Sequence, residues 1–251
     1  MPFTILFLAA IWAGAQNALA GGGSFITLPA LMFTGMDARA ANITSTIALF
    51  PGQIATAWTG RNLVASAKAL SFRALAIISM VGGAIGAVLL LITPASLFAR
   101  LVPWLVLFAT GVFAWGSFAP KPEADARLGR SGTAVAQFLI AIYGGYFGGG
   151  IGILMLAALT AAGFVIRAAG ATKNVLAACM NASAFAIFLF SPEVRWLQAA
   201  VCGAGAVAGG LIGARMLAHV NETALRIFVI LIGIALTIGL FLRSLQPPIL
   251  G

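Results

Sequence analysis

TAVAQFLIAIYGGYFGGGIGILMLAALTAAG occupies residues 133–163, and this run decides the fold. It carries no charged residue. It is longer than the about 20 residues that one helix needs to cross a hydrocarbon core, and too short for two full crossings. Gly148, Gly149 and Gly150 stand near its middle, with Gly152 close behind. Each glycine costs about 1 kcal/mol relative to alanine inside a helix. The pattern predicts a broken helix, or a hairpin with a short second arm. Non-helical backbone at membrane depth survives only where protein or a water-filled cavity surrounds it. A second run, residues 3–35, has the same design, broken at Gly21, Gly22 and Gly23.

Working outward, six further apolar runs at 42–60, 74–93, 101–118, 171–190, 196–217 and 224–243 fit one crossing each. The 251 residues are 62% hydrophobic and 8% charged. Soluble domains carry roughly 25% charged residues, so the solvent for most of this surface is lipid. The net charge of +9 resembles a nucleic-acid signal. However, the basic residues are scattered between apolar spans, as in loops that orient membrane helices, and form no basic stripe. No nucleic-acid partner is expected. Cys179 and Cys202 lie inside apolar runs and read as small hydrophobes, and the single His219 offers no metal-ligand cluster. No metal or other cofactor is expected. The N-terminal segment has no Lys or Arg before Arg39 and runs into more apolar sequence. It therefore reads as a retained membrane segment rather than a signal peptide.

The longest polar stretch, APKPEADARLGRSG at 119–132, separates a first membrane repeat at 1–118 from a second at 133–251. The halves look alike. Shifted by 128 residues, Gly21 meets Gly149, Gly22 meets Gly150, Gly35 meets Gly163, Arg39 meets Arg167 and Thr44 meets Thr172. At a shift of 127, the block from Gly82 to Ala87 meets that from Gly209 to Ala214. Internal duplication is a common construction in secondary transporters. If the broken runs are hairpins, each half crosses an odd number of times and the repeats are inverted. One side then collects Arg61, Lys68, Arg73, Lys121, Arg127, Arg130, Arg167, Lys173, Arg215 and Arg226, against Arg39, Arg100, Arg195 and Arg243 on the other. That asymmetry assigns the rich side to the cytoplasm, and eight plain crossings divide the charges more evenly. The expected fold is an all-α polytopic membrane protein of two inverted repeats. Each has about four hydrophobic segments and opens with a glycine-broken helix or hairpin.

The acids Asp37, Glu123, Asp125, Glu193 and Glu222 fall in or beside predicted loops, which argues against a carboxylate proton relay and a cation pathway. The same lack of acid–base pairs, together with a single histidine, argues against an enzyme. Asp37 is either a solvated loop acid or, being close to the first break, a site residue. Glycine-rich breaks can form an anion-binding concavity of backbone N–H groups, aided by the positive end of the following helix. Gly21, Gly22, Gly23 and Gly148, Gly149, Gly150 are candidates for such a pair of tips, with Ser24 as N-cap of an arm at 25–35. The alternative use of these glycines is close helix packing, which is the preferred reading for the Gly82 and Gly209 blocks. Thr46 and Gln53 lie seven apart on one helix face, and their counterparts Asn174 and Asn181 repeat that spacing. Such amides either face a substrate or bond helices together. Lys173, standing where the first half has Ser45, is the best cation for an anion path. It is also placed to mark a cytoplasmic helix end. Gln16, Asn17, Thr44 and Thr172 complete the candidates. Trp12, Trp58, Trp104, Trp115 and Trp196 read as interface anchors.

The stretch AGGGSFITLPAL at 20–31, followed by AANITST at 40–46, resembles the TauE/SafE sulfite exporter family, also called the toluene sulfonate uptake permease family. GGYFGGGIG at 144–152 and ATKNVL at 171–176 resemble its repeated motif. The resemblance spans nearly the whole chain. It implies a multi-pass transporter of a bacterial inner membrane that carries sulfur-containing organic anions (sulfonates, sulfoacetate-like species) or sulfite, with both exporters and importers in the family. Alternating access and export are the expected mode, and a passive anion channel or an importer are the alternatives. The expected partners are the anion, membrane lipid and, as an assembly, a homodimer.

Overall fold

Both glycine breaks end a helix. In the computed structural model α1 (Pro2–Leu19) stops before the first break and α2 (Ser24–Phe33) starts behind it. Likewise α6 (Arg130–Tyr146) stops before the second and α7 (Ile151–Ala161) follows. The structure describes residues 2–19, 22–65, 70–118, 128–216 and 222–245. The remaining helices are α3 (Ala38–Gly60), α4 (Phe72–Ile92), α5 (Ala95–Phe118), α8 (Ile166–Phe188), α9 (Trp196–Met216) and α10 (Glu222–Leu245), with a 3-10 turn at Arg61–Leu63. The described residues hold ten α-helices and no strand. Gly21, Lys68, the 119–127 part of the linker and His219 lie outside them.

The turns between these helices follow from local chemistry. Gly22 and Gly150 adopt φ of 85° and 73°, a left-handed conformation that costs other residues about 1–2 kcal/mol. The Ser24 N-cap expectation is corrected. Gly23 holds the cap position with a helical φ of −54° and makes no side-chain cap. A hydroxyl cap needs extended backbone at its own residue. Here the helix already turns at Gly23, whose carbonyl accepts from the N–H groups of Ile26 and Thr27. Ser24 is therefore the first helical residue. Asp37, in contrast, is a cap: its carboxylate accepts from the N–H groups of Arg39 and Ala40 at the start of α3.

Both short helices turn back on their predecessors. Gly23 packs against the carbonyl of Ala13 and Cβ of Asn17, where a side chain would not fit. The N–H of Leu128 donates to the carbonyl of Ala161 at 2.9 Å, so the end of α7 lies beside the beginning of α6. At the opposite end of the molecule, Arg39 pairs with Glu193 and donates to the carbonyl of Thr93. Arg39 thus ties the start of α3 to the α8–α9 loop through an ion pair and to the α4–α5 turn through a hydrogen bond. From that end α3 runs to the end where Ala65 meets Thr172, and α8 runs the other way.

Small residues set the closest helix contacts. A Cβ on Gly209 of α9 would strike the carbonyl of Ile11 in α1, and one on Gly82 of α4 would strike Ala141 of α6. This is the packing use expected of those blocks. The core is apolar, with Leu6, Phe98, Phe113, Met155 and Phe188 at most 1% exposed. So is the outside: Phe33 and Phe190 are 88% and 87% exposed, and all five tryptophans face outward. An outer surface so apolar is stable against lipid rather than water. By length and apolarity alone, α4 and α5 suffice to cross a membrane. Helices α3 and α8 are more polar because they carry the asparagines, threonines and glutamine that face inward.

Candidate functional site

A cavity of about 80 Å³ lies between α2, α3, α7 and α8. A single water needs roughly 10–15 Å³, so the space suits a small polyatomic solute. Its wall contains Asn17, Gly22, Ser24, Thr46, Gln53, Gly148, Gly150, Lys173, Asn174 and Asn181, ten of the residues singled out from sequence. Ser45, Leu49, Thr56, Phe147, Ile151, Gly152 and Ala177 complete it.

Several candidates stand elsewhere. Gln16 is wholly buried. Gly23 lies against α1, and Gly149 lies against Phe147 and Ala109. Gly21 is outside the described residues. Thr44 and Thr172 hold loops: the hydroxyl of Thr44 accepts from the N–H of Arg195 at 3.3 Å, and that of Thr172 from the N–H of Ala65 at 3.1 Å. Each joins a helix of one half to a loop of the other. Their position off the cavity wall follows from helix geometry, since Thr44 and Thr46, like Thr172 and Asn174, point about 200° apart.

Most of the polar lining side chains are held by hydrogen bonds. The side-chain N–H of Asn181 donates to Oε1 of Gln53 at 2.7 Å across the α3–α8 contact. Nζ of Lys173 donates to Oδ1 of Asn174 at 2.9 Å. That ammonium lies beside Gly152 in the first turn of α7. The hydroxyls of Ser45 and Thr27 share a bond of 2.6 Å, and Thr46 donates to the carbonyl of Asn42. Asn42 in turn donates to the carbonyl of Tyr146, one of the carbonyls that α6 leaves unpaired at its break.

The electrostatics have one sign. The described lining holds one cation, Lys173, and no carboxylate. The first turns of α2 and α7 also open here, at Ser24 and at Ile151 and Gly152. Helix N-termini leave N–H groups unpaired and carry the positive end of the dipole. One ammonium, two helix starts and several amide and hydroxyl donors can hold an anion.

Sequence reasoning left out Ser45, Leu49 and Thr56, although all three lie on the helix that carries Thr46 and Gln53. The missed signal is spacing: Ser45, Leu49 and Thr56 fall at i, i+4 and i+11 on the same face as Gln53.

Residues 6–240 match the family described as sulfite exporter TauE/SafE, and the chain belongs to that family. A probable membrane transporter protein of Haemophilus influenzae is 31% identical over 240 residues, covering 93% of this chain and 92% of the relative. The probable membrane transporter protein ORF9 of a Sinorhizobium species is 30% identical over 251 residues, covering 96% and 93%. The probable membrane transporter protein YfcA of Escherichia coli is 28% identical over 244 residues, covering 96% and 90%. The chain is a membrane protein of a transporter family.

Proposed function

We propose that this member of the sulfite exporter TauE/SafE family is a secondary transporter of small sulfur-containing anions, sulfonates or sulfite, in a bacterial inner membrane. The observation that carries the reading is the pairing of residues around the cavity. Gly22 and Gly150, Ser24 and Gly152, Ser45 and Lys173, Thr46 and Asn174, Leu49 and Ala177, and Gln53 and Asn181 all line it, and each pair is 128 residues apart. Counterparts of two repeats surround one space only where that space lies on the axis relating them. Gln53 and Asn181 are hydrogen-bonded to each other, which fits the axis itself.

The repeats are 1–118 and 133–251, joined by the linker 119–132. Helices α3 and α8 run in opposite directions, which supports inverted repeats and several crossings. Alternating access then follows from rocking one half against the other around a fixed site near the midplane. Lys173, Asn174, Asn181, Gln53 and the α2 and α7 starts bind the anion. Thr44 and Thr172 hold the frame.

Export is the favoured direction. With the inside negative, each expelled negative charge releases about 2.3 kcal/mol per 100 mV. No acid lines the described cavity to couple transport to protons.

The test is melting of the detergent-purified chain with sulfite, sulfate, thiosulfate, taurine, sulfoacetate, acetate and phosphate. A ligand that binds the native state alone at a hundredfold excess over Kd stabilises by about 2.7 kcal/mol. A selective shift with sulfur anions, lost in Lys173→Met, supports the reading. Shifts with cations or neutral solutes and none with anions overturn it.

A further inference from the structure

The two halves of the cavity wall differ in charge, and the difference sits in one matched exchange. Where α3 carries Ser45, α8 carries Lys173. Where α2 carries Ser24, α7 carries Gly152. These positions touch: a Cβ at Gly152 would lie 3.7 Å from Nζ of Lys173. A Cβ there would only touch the ammonium, and with glycine at 152 the ammonium faces the start of α7 directly. In the other half Ser45 is buried with its hydroxyl bound to that of Thr27, and Ser24 lines the cavity at the position that matches Gly152.

We propose that the cavity selects anions with one negative charge. The Ser24–Ser45 and Gly152–Lys173 exchange sets that number. This inference rests on the anion site of the preceding reading and narrows its substrate class. A buried charge is stable only when paired. Among the lining residues Lys173 is one cation with no acid beside it, so one anionic charge gives a neutral complex. A dianion leaves a net negative charge against a wall that, among the described residues, has no second cation and includes Leu49, Phe147, Ile151 and Ala177. Two helix starts and the amides stabilise partial charge but do not supply a second full one. The substrate class is therefore a monoanionic sulfur oxyanion, its charged head toward Lys173 and α7, its uncharged part toward the Ser24–Ser45 wall.

The experiment compares sulfamate and sulfate, tetrahedral sulfur anions of nearly equal size carrying one and two charges at neutral pH. Binding is read as stabilisation of the full chain in detergent, and transport as competition in proteoliposomes. The wild type binds sulfamate at least about tenfold more tightly than sulfate. The double variant Ser24→Gly with Ser45→Lys, which copies the second-half pair into the first, shifts the ratio toward sulfate by about tenfold or more. The reverse copy, Gly152→Ser with Lys173→Ser, abolishes binding of both anions and keeps the melting temperature of the ligand-free chain. It serves as a second variant should the added lysine prevent folding. Sulfate bound as tightly as sulfamate, with the ratio unmoved in the double variant, overturns the charge rule and leaves the anion site standing. No stabilisation by either anion or by any other sulfur anion overturns the site as well.

Discussion

The wall built by α2 and α3 presents Ser24, Ser45, Thr46 and Gln53, and the wall built by α7 and α8 presents Gly152, Lys173, Asn174 and Asn181. Position by position they are counterparts, yet the first is neutral and the second carries the one cation of the described lining. Just outside the cavity the counterparts remain alike: Thr44 and Thr172 both hold a loop N–H of the opposite half. Gly22 and Gly150 are both left-handed. On the repeat proposed above, the frame is symmetric and the contents of the site are not. Backbone turns and interhelical contacts serve both halves equally. A single asymmetric solute, in contrast, is better held by one fixed charge than by two half-suited walls.

The comparison predicts unequal effects inside the cavity and equal effects outside it. The largest is expected at Lys173. Lys173→Met removes a charged hydrogen-bond donor worth about 1.5–3 kcal/mol, or about 10- to 100-fold in anion affinity. Ser45→Ala, at the counterpart position, changes affinity by less than about threefold. Isothermal titration with sulfite or methanesulfonate reads both, and equal losses would break the asymmetry.

Gly82→Ala and Gly209→Ala come next. Each places a methyl against a neighbouring helix, at a cost of about 1–3 kcal/mol. Both are expected to lower the melting temperature to a similar degree while leaving anion affinity per folded molecule unchanged. A change in affinity without a change in stability would put these blocks in the site.

Gln53→Ala and Asn181→Ala each leave the other amide without its partner, at about 1–3 kcal/mol. A double-mutant cycle on stability should show coupling, the double variant costing less than the sum of the two. Strict additivity would contradict the bond on the axis. The smallest effect is expected at Thr44→Val and Thr172→Val, about 1 kcal/mol each in stability with affinity unchanged. An effect on affinity from either threonine would extend the site beyond the cavity wall.

Much of this arrangement was legible in the sequence, for physical reasons. The breaks in residues 3–35 and 133–163 were readable because three successive glycines weaken a helix enough to end it, whereas the glycine pairs inside α4 and α9 do not. Gln53, Asn181 and Lys173 were readable because polar groups within apolar runs need partners wherever the fold puts them. The Ser24 cap was misread because cap chemistry depends on the backbone angle of the cap residue, which the sequence does not specify. Asp37 caps a different helix, α3, where its own backbone is extended. Thr44 and Thr172 entered the candidate set with the lining residues although helix spacing alone points each about 200° away from its neighbour two positions on, Thr46 and Asn174. The bond between Gln53 and Asn181 could not be foreseen, since a repeat offset gives correspondence and not contact.

The central claim is that Lys173 and the paired walls around it hold the transported anion. Its most direct test is efflux of radiolabelled methanesulfonate and sulfite from proteoliposomes at imposed, inside-negative potential, with wild type and Lys173→Met compared at equal folded protein. The account predicts saturable efflux, accelerated by unlabelled anion on the far side, and its loss in Lys173→Met without loss of the folded state. Equal efflux from the two proteins, or none from the wild type with any sulfur anion, would contradict it.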